Sequence, residues 1–326
     1  MSLLAIADAG LFLLDNNHRG WRSELLRADA GLQCLACDPA NSFTIYTGSR
    51  GGGVRKSIDG GRSWRDLQLP LNEVFSLGVS PADGSVYAGT EPSRLFKSTD
   101  GGESWRELAA LTEIPSAPTW SFPPRPWTSH VRAIAPNPRD PGLLLAGIEL
   151  GGLMRTEDGG ETWADHAAGA QRDVHALAWH PHFAERAYEA GGGGTAWSHD
   201  GGRTWEPADA GRDRHYTWAL ALDPEDPDLW YISASPSARH AHSQGKAQAH
   251  IYRWRGAGPW EQVGKGLPQL LDSMPYTLIT THEEIFAGLA DGRIFLSATR
   301  GESWNLLDVS GPFPQGLKAF AIPARG

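Results

Sequence analysis

The sequence predicts an all-β chain folded as a seven-bladed β-propeller with four antiparallel strands per blade. Three observations carry this. An eight-residue phrase recurs, as SIDGGRSW from Ser57, STDGGESW from Ser98, TEDGGETW from Thr156 and SHDGGRTW from Ser198, with a worn copy, SATRGESW, from Ser297. Seven tryptophans, Trp21, Trp64, Trp105, Trp163, Trp205, Trp260 and Trp304, stand 41 to 58 residues apart. No 3.6-residue amphipathic run marks a helix.

Taken in order, residues 2–26 give three strands, at 3–7, 11–14 and 21–26, and lack an innermost one. Residues 31–70 and 72–111 each make a complete blade. An insertion at about 112–129, rich in Pro, Trp and Phe, follows. Its prolines favour a stiff, extended loop. Blade four runs over 130–169 and blade five over 173–211. Blade six starts near His215 and contains a second insertion at about 235–248, with His240 and His242. Blade seven spans 274–309. The segment LKAFAI (317–322) reads as an innermost strand. It would complete the first blade, so that the C-terminal strand closes the ring and leaves few free sheet edges. The whole of 1–326 is expected to be one propeller domain.

The repeated phrase suits a tight turn between a third and a fourth strand. Aspartate accepts hydrogen bonds from turn amides, glycine supplies a left-handed backbone, and the serine or threonine hydroxyl closes the turn. The tryptophan then opens the next strand with a large apolar face. This phrase is the Asp-box, or BNR, signature, and the chain resembles the sialidase-like superfamily of Asp-box propellers. Asp59, Asp100, Asp158 and Asp200 are therefore expected to be turn formers. They lie on the face opposite the loops that enter the innermost strands.

Net charge is −9 and hydrophobic residues make up 40% of the 326. An acidic balance argues against nucleic acid or an anionic membrane as the main partner. The two cysteines, Cys34 and Cys37, fall three apart on one strand and point to opposite faces, which fits core thiols and no disulfide framework. The first fifteen residues lack a basic n-region and a cleavage site, and no stretch reaches about 18 apolar residues. A cytoplasmic protein is expected.

Aligning the innermost strands (RAIAPNP, HALAWHP, WALALDP, QCLACDP, FSLGVSP, YTLITT and KAFAIP) gives a first position held by Arg132, His175, Trp218, Gln33, Phe75, Tyr276 and Lys318. Two residues earlier stand His130, Asp173, Tyr216 and Glu73, among others. Cations, aromatics and an imidazole around a concave mouth describe a small-molecule site. The alternative is a hydrated channel rim whose charges pair among themselves. In the second strands, Glu189 takes the place held by Thr47, Ala88, Ala146 and Ala287. A buried carboxylate there needs a compensating partner, such as an arginine, or a proton. Arg50, Glu91 and Glu149 sit just beyond the strand ends.

Three chemistries suit this face. The resemblance implies glycan chemistry, which needs two carboxyl groups about the scissile bond. Glu73, Asp173, Glu149 and Glu189 are candidates, with His175 as an alternative proton carrier. Arg132 and Lys318 would hold an anionic or hydroxyl-rich ligand, and Tyr216, Trp218, Tyr276 and Trp127 would stack on it. The sialidase Phe/Tyr-Arg-Ile-Pro motif is absent, sialidases have six blades, and the large xyloglucan-cleaving relatives use two propellers. A glycosidase-like hydrolase other than a sialidase is the expectation. The second chemistry is a divalent transition metal on His130, His175 and His215, with Glu149 or Glu189 as an oxygen ligand. The third is non-catalytic: seven-bladed Asp-box assembly factors of photosystem II bind a partner protein, and 112–129 would be the docking loop here. The same insertion, leading straight into His130, would equally serve as a lid.

Overall fold

The computed structural model describes residues 1–17, 20–122, 128–282, 284–312 and 314–323. Seven antiparallel sheets follow one another along the chain as the blades of a propeller. Among the described residues helix is confined to single turns at Ala109–Thr112, Ala117–Thr119 and Ala238–Ala241. No helix among the described residues is long and apolar enough to cross a membrane.

Each blade is covered on both faces by its neighbours. In blades 3 to 7 the second strand is consequently buried at every position rather than at alternate ones, as in Val86–Thr90, Leu144–Ile148, Ala187–Gly191 and Ile285–Leu289. One glycine recurs in these strands for a steric reason. A Cβ on Gly147 would lie 2.4 Å from Val174 Cγ1, and one on Gly89 would lie 2.7 Å from Val131 Cβ. Each valine belongs to the innermost strand of the next blade. The glycine is the notch into which the following blade seats.

Ring closure follows the sequence expectation and goes further. Ala319–Ala321 pairs antiparallel with Ser2–Ala7, as the innermost strand of blade 1. On its way there the chain also lays Val309–Ser310 parallel to the outermost strand, against Trp21 and Arg22. Both edges of blade 1 are thus held by the chain that leaves blade 7. Blade 4 has only three full strands, and its fourth is reduced to the bridge between Arg155 and Ala164. The next residue, Asp165, binds the first insertion instead, accepting from the Ser116 amide at 2.9 Å and its hydroxyl at 2.6 Å.

The Asp-box turns join third and fourth strands. In the box at Ser57 the serine hydroxyl donates to Asp59 at 2.8 Å and accepts from the Gly61 amide at 2.8 Å, while Asp59 accepts from the Ser63 amide at 2.9 Å. The hydroxyl and amide of Ser63 and the hydroxyl of Ser57 hold the Asp59 carboxyl down at about 2. In the worn copy Thr299 stands in for the aspartate. Its hydroxyl accepts from the Ser303 amide at 2.9 Å, and Ser297 still accepts from the Gly301 amide at 2.9 Å. Arg300 there adopts φ 50°, where the four intact boxes have glycine.

Candidate functional site

Antiparallel order fixes which loops share a face. Innermost strands begin, and second strands end, on the face opposite the Asp-box turns. At that face each innermost strand of blades 2 to 7 opens with a register shift: Leu32/Cys34, Val74/Ser76, Val131/Ala133, Val174/Ala176, Thr217/Leu220 and Pro275/Thr277. The skipped residues include Gln33, Phe75, Arg132, His175, Trp218 and Tyr276. A bulge adds an unpaired residue and re-aims its side chain. These six, with Lys318 from the closing strand, line a channel of ≈ 330 Å³ at the centre of the ring. The aligned row of the sequence is therefore the row of bulges.

Above the channel lies a cavity of ≈ 300 Å³, and all of these residues except His175 also line it. The other walls are Arg50, Glu91 and Glu149 from second-strand ends, His130 from the entry to blade 4, and Phe122 and His242 from the two insertions. Arg132 lies over the indole of Trp218, 4.7 Å from its centroid, and its Nε is 3.7 Å from Glu149 Oε2. Tyr276 and Trp218 stand 5.2 Å apart. Lys318 faces Asp8 at 3.4 Å.

His130 is 2% exposed and sits between two carboxylates. Its Nε2 is 2.6 Å from Glu149 Oε2, and its Nδ1 is 3.3 Å from Glu91 Oε2. Phe75 stacks on its ring at 4.0 Å, and Phe122 meets it edge-on at 5.0 Å. Burial works to raise the Glu149 pKa. The His130 hydrogen bond and the charge of Arg132 outweigh it, so Glu149 is held below the ordinary carboxylate range.

On the blade 6 side a chain of hydrogen bonds fixes His242. Tyr276 donates to the Ala241 carbonyl at 3.2 Å, His242 Nδ1 is 2.7 Å from the Tyr276 hydroxyl, and the Tyr216 hydroxyl is 2.8 Å from His242 Nε2. With Tyr276 donating onward, His242 carries its proton on Nδ1 and accepts from Tyr216 on Nε2. Burial lowers the His242 pKa and keeps the ring neutral.

His175 is oriented from behind, with Nδ1 2.6 Å from the Thr217 carbonyl. That bond puts a proton on Nδ1. Nε2 is buried without a hydrogen-bond partner, 3.5 Å from Asp173 Oδ2.

Several expectations need correcting. His215 is exposed and lines neither the cavity nor the channel, so His130, His175 and His215 do not converge. The side chain pointing inward beside it is Tyr216, the neighbour on the strand. Glu73 is a rim residue, 45% exposed in its side chain and 3.8 Å from Arg50. Glu189 is fully buried in blade 5 and lines neither space. Its Oε2 accepts from the Gln171 amide at 2.8 Å, and its Oε1 has no partner. The compensating arginine is absent among the described residues. Burial instead pushes the carboxyl up to about 8, so it is protonated at neutral pH. Tyr216 stands behind His242 rather than on the wall. Trp127 lies outside the described residues. Cys34 and Cys37 are free and only half-buried, Cys34 on the channel wall. His242 and Phe122 were missed as site residues because insertions have no counterpart in the other blades.

A family model described as BNR/Asp-box repeat matches residues 196–207. No curated protein matches the chain. Among solved structures, an ancestral GH74 enzyme is similar over 82% of this chain, at 20% identity and a TM-score of 0.64, and the chain spans only 36% of that enzyme. YCF48 bound to a D1 peptide is similar over 85% of this chain and 80% of its own, at 18% identity and a TM-score of 0.54. YCF48 from Cyanidioschyzon merolae gives 13% identity and a TM-score of 0.56, with 84% of each chain covered. At these identities the likeness is one of fold. The chain is a seven-bladed β-propeller that carries the BNR/Asp-box repeat.

Proposed function

We propose that the protein binds a small, hydroxyl-rich anionic ligand, of which an acidic saccharide is the class, at the channel mouth, and hydrolyses a glycosidic bond there. The observation that carries the reading is Arg132 held over the ring of Trp218 on the wall of a cavity of ≈ 300 Å³. Trp218 and Tyr276 offer ring faces to a sugar, and Arg50, Arg132 and Lys318 offer cations to its acidic group. Of the carboxyl groups assigned to the chemistry, Glu149 lines the cavity, and Asp173, outside both linings, stands beside His175. Their oxygens and His175 Nε2 lie within 4.8 Å of one another. That bound excludes the ~6.5–9.5 Å separation of an inverting pair. Glu149, held ionised, takes the nucleophile or base role, and Asp173 is the second carboxyl of the pair. The fold shared with a GH74 enzyme agrees with this reading without deciding it.

A panel of neutral and acidic saccharides and their chromogenic glycosides tests it by calorimetry and turnover. Binding of acidic members, lost in Arg132→Gln, supports the reading. Indifference to all of them at millimolar concentration would sink it.

A protein-binding role is the second reading, favoured by the YCF48 propeller bound to a peptide. The described part of 112–129 speaks against that loop as the docking element. Trp120 is 7% exposed and packed into the core between blades 3 and 4, and Phe122 walls the cavity. This supports a lid.

A further inference from the structure

The geometry points to a divalent transition-metal site formed by Glu149, Asp173 and His175, beside the cavity that Glu149 lines and the channel that His175 lines. It keeps His175 and Glu149 of the expected histidine set and puts Asp173 in the place of His130 and His215, and an ion there would serve the site with a metal-held water in place of the carboxyl pair.

The three groups come from neighbouring blades 4 and 5, and one ligand atom from each lies within 4.8 Å of the others. His175 Nε2 and Asp173 Oδ2 are 3.5 Å apart. Two ligands each about 2.1 Å from a tetrahedral ion stand ~3.4 Å apart, so the pair is too far for a hydrogen bond and right for a shared cation. His175 is prepared as a ligand. Its side chain is fully buried, and its Nδ1 is 2.6 Å from the Thr217 carbonyl, the backing that metal-bound imidazoles usually have. This leaves the Nε2 lone pair aimed at the carboxylates.

Two atoms of the cluster have no other use. His175 Nε2 and Asp173 Oδ1 are both buried without a hydrogen-bond partner. Buried polar atoms are almost always partnered, and a cation would satisfy both at once. Gly192 leaves the space beside them, because a Cβ there would fall 1.9 Å from Asp173 Oδ2. One imidazole and two carboxylates suit Zn²⁺, Mn²⁺, Fe²⁺ or Co²⁺ better than Ca²⁺ or Mg²⁺, which favour oxygen alone. Three protein ligands leave positions open, as in sites that activate a bound ligand or water. Arg132, 3.7 Å from Glu149 Oε2, is a cation that opposes an ion here, and His130 engages that same oxygen.

The competing arrangement is an imidazolium of His175 paired directly with Asp173. The test is titration of the purified full chain, freed of metal with a chelator and dialysed, with Zn²⁺ and with Co²⁺. One equivalent should bind, Tm should rise, and Co²⁺ should give the visible absorption of a low-coordinate site. Asp173→Asn, which keeps the side-chain shape, and His175→Ala should each weaken binding by about 100-fold or more. Circular dichroism of each variant confirms its fold. No stoichiometric binding by the wild type overturns the proposal, as does binding that survives both substitutions. No saccharide is present in this experiment, so its failure leaves the ligand reading of the mouth standing.

Discussion

Arg132 of blade 4 reaches past blade 5 to lie on Trp218 of blade 6, with its guanidinium carbon 4.7 Å from the ring centroid. The contact holds the guanidinium at the mouth, where its Nε faces the Glu149 carboxylate. A half-desolvated stack of this kind contributes about 1–2 kcal/mol.

Substituting either partner should therefore weaken ligand binding without unfolding the ring. Trp218→Ala is expected to raise Kd by about 10-fold, and Arg132→Gln by more, because it also removes the charge. Arg132→Lys keeps the charge and loses the planar stack, so it should fall between wild type and Arg132→Gln. Calorimetry with the best acidic saccharide gives the order. Arg132→Lys binding no better than Arg132→Gln would remove charge from the account.

Glu189 makes stability depend on pH. Its carboxyl is pushed from 4.5 to about 8 by burial, so the folded state keeps a proton that the unfolded chain releases. Between those values stability falls as pH rises, and above about 8 it levels off. The full span corresponds to ~5 kcal/mol at about 1.4 kcal/mol per unit. Glu189→Gln, which cannot ionise, should flatten that slope and raise Tm most at high pH. Parallel Tm profiles for the two proteins between pH 4.5 and 9 would contradict the buried-acid account.

The notch at Gly147 is a seating surface between blades. A methyl group there meets Val174 Cγ1 at 2.4 Å. Gly147→Ala is expected to cost about 1–3 kcal/mol by overpacking. Gly147→Ala with Val174→Ala should recover part of the loss, since the clashing methyls are gone. Denaturant titration of the four proteins measures the coupling.

The worn turn in blade 7 offers the opposite sign. Arg300 holds φ 50°, a left-handed conformation that costs a non-glycine residue about 1–2 kcal/mol. Thr299→Asp with Arg300→Gly rebuilds the intact phrase and should raise Tm by a few degrees. Activity should not change, because the turn is on the far face. A lower Tm would mean that the 3.5 Å pairing of Arg300 with Asp223 matters more than the backbone strain.

The blade count, the closing strand and the inward row were legible because each repeats. A bulge is invisible in one strand, but seven aligned strands put Arg132, His175 and Trp218 in one column. Position along a column says where a residue stands and not which way it faces. Tyr216 and His215 are adjacent, and only the strand's twist decides that the tyrosine reaches His242 while the histidine meets solvent. Glu189 failed for a related reason. Its strand is covered on both sides, so the residue faces a blade interface instead of the channel. His242 and Phe122 come from insertions, where no repeat supplies a register. Their aromatic and imidazole character was the only signal.

Lys318 stands one residue before the strand that closes the ring, and it also lines the mouth. Six blades' worth of site residues are made long before it. A chain emerging from the ribosome therefore carries a nearly complete set of ligand groups on an open, C-shaped array. The last cation arrives together with the strand that draws the ring shut. Ligand should consequently bind the closed form better than any open one. In return, bound ligand would hold the two ends of the chain together.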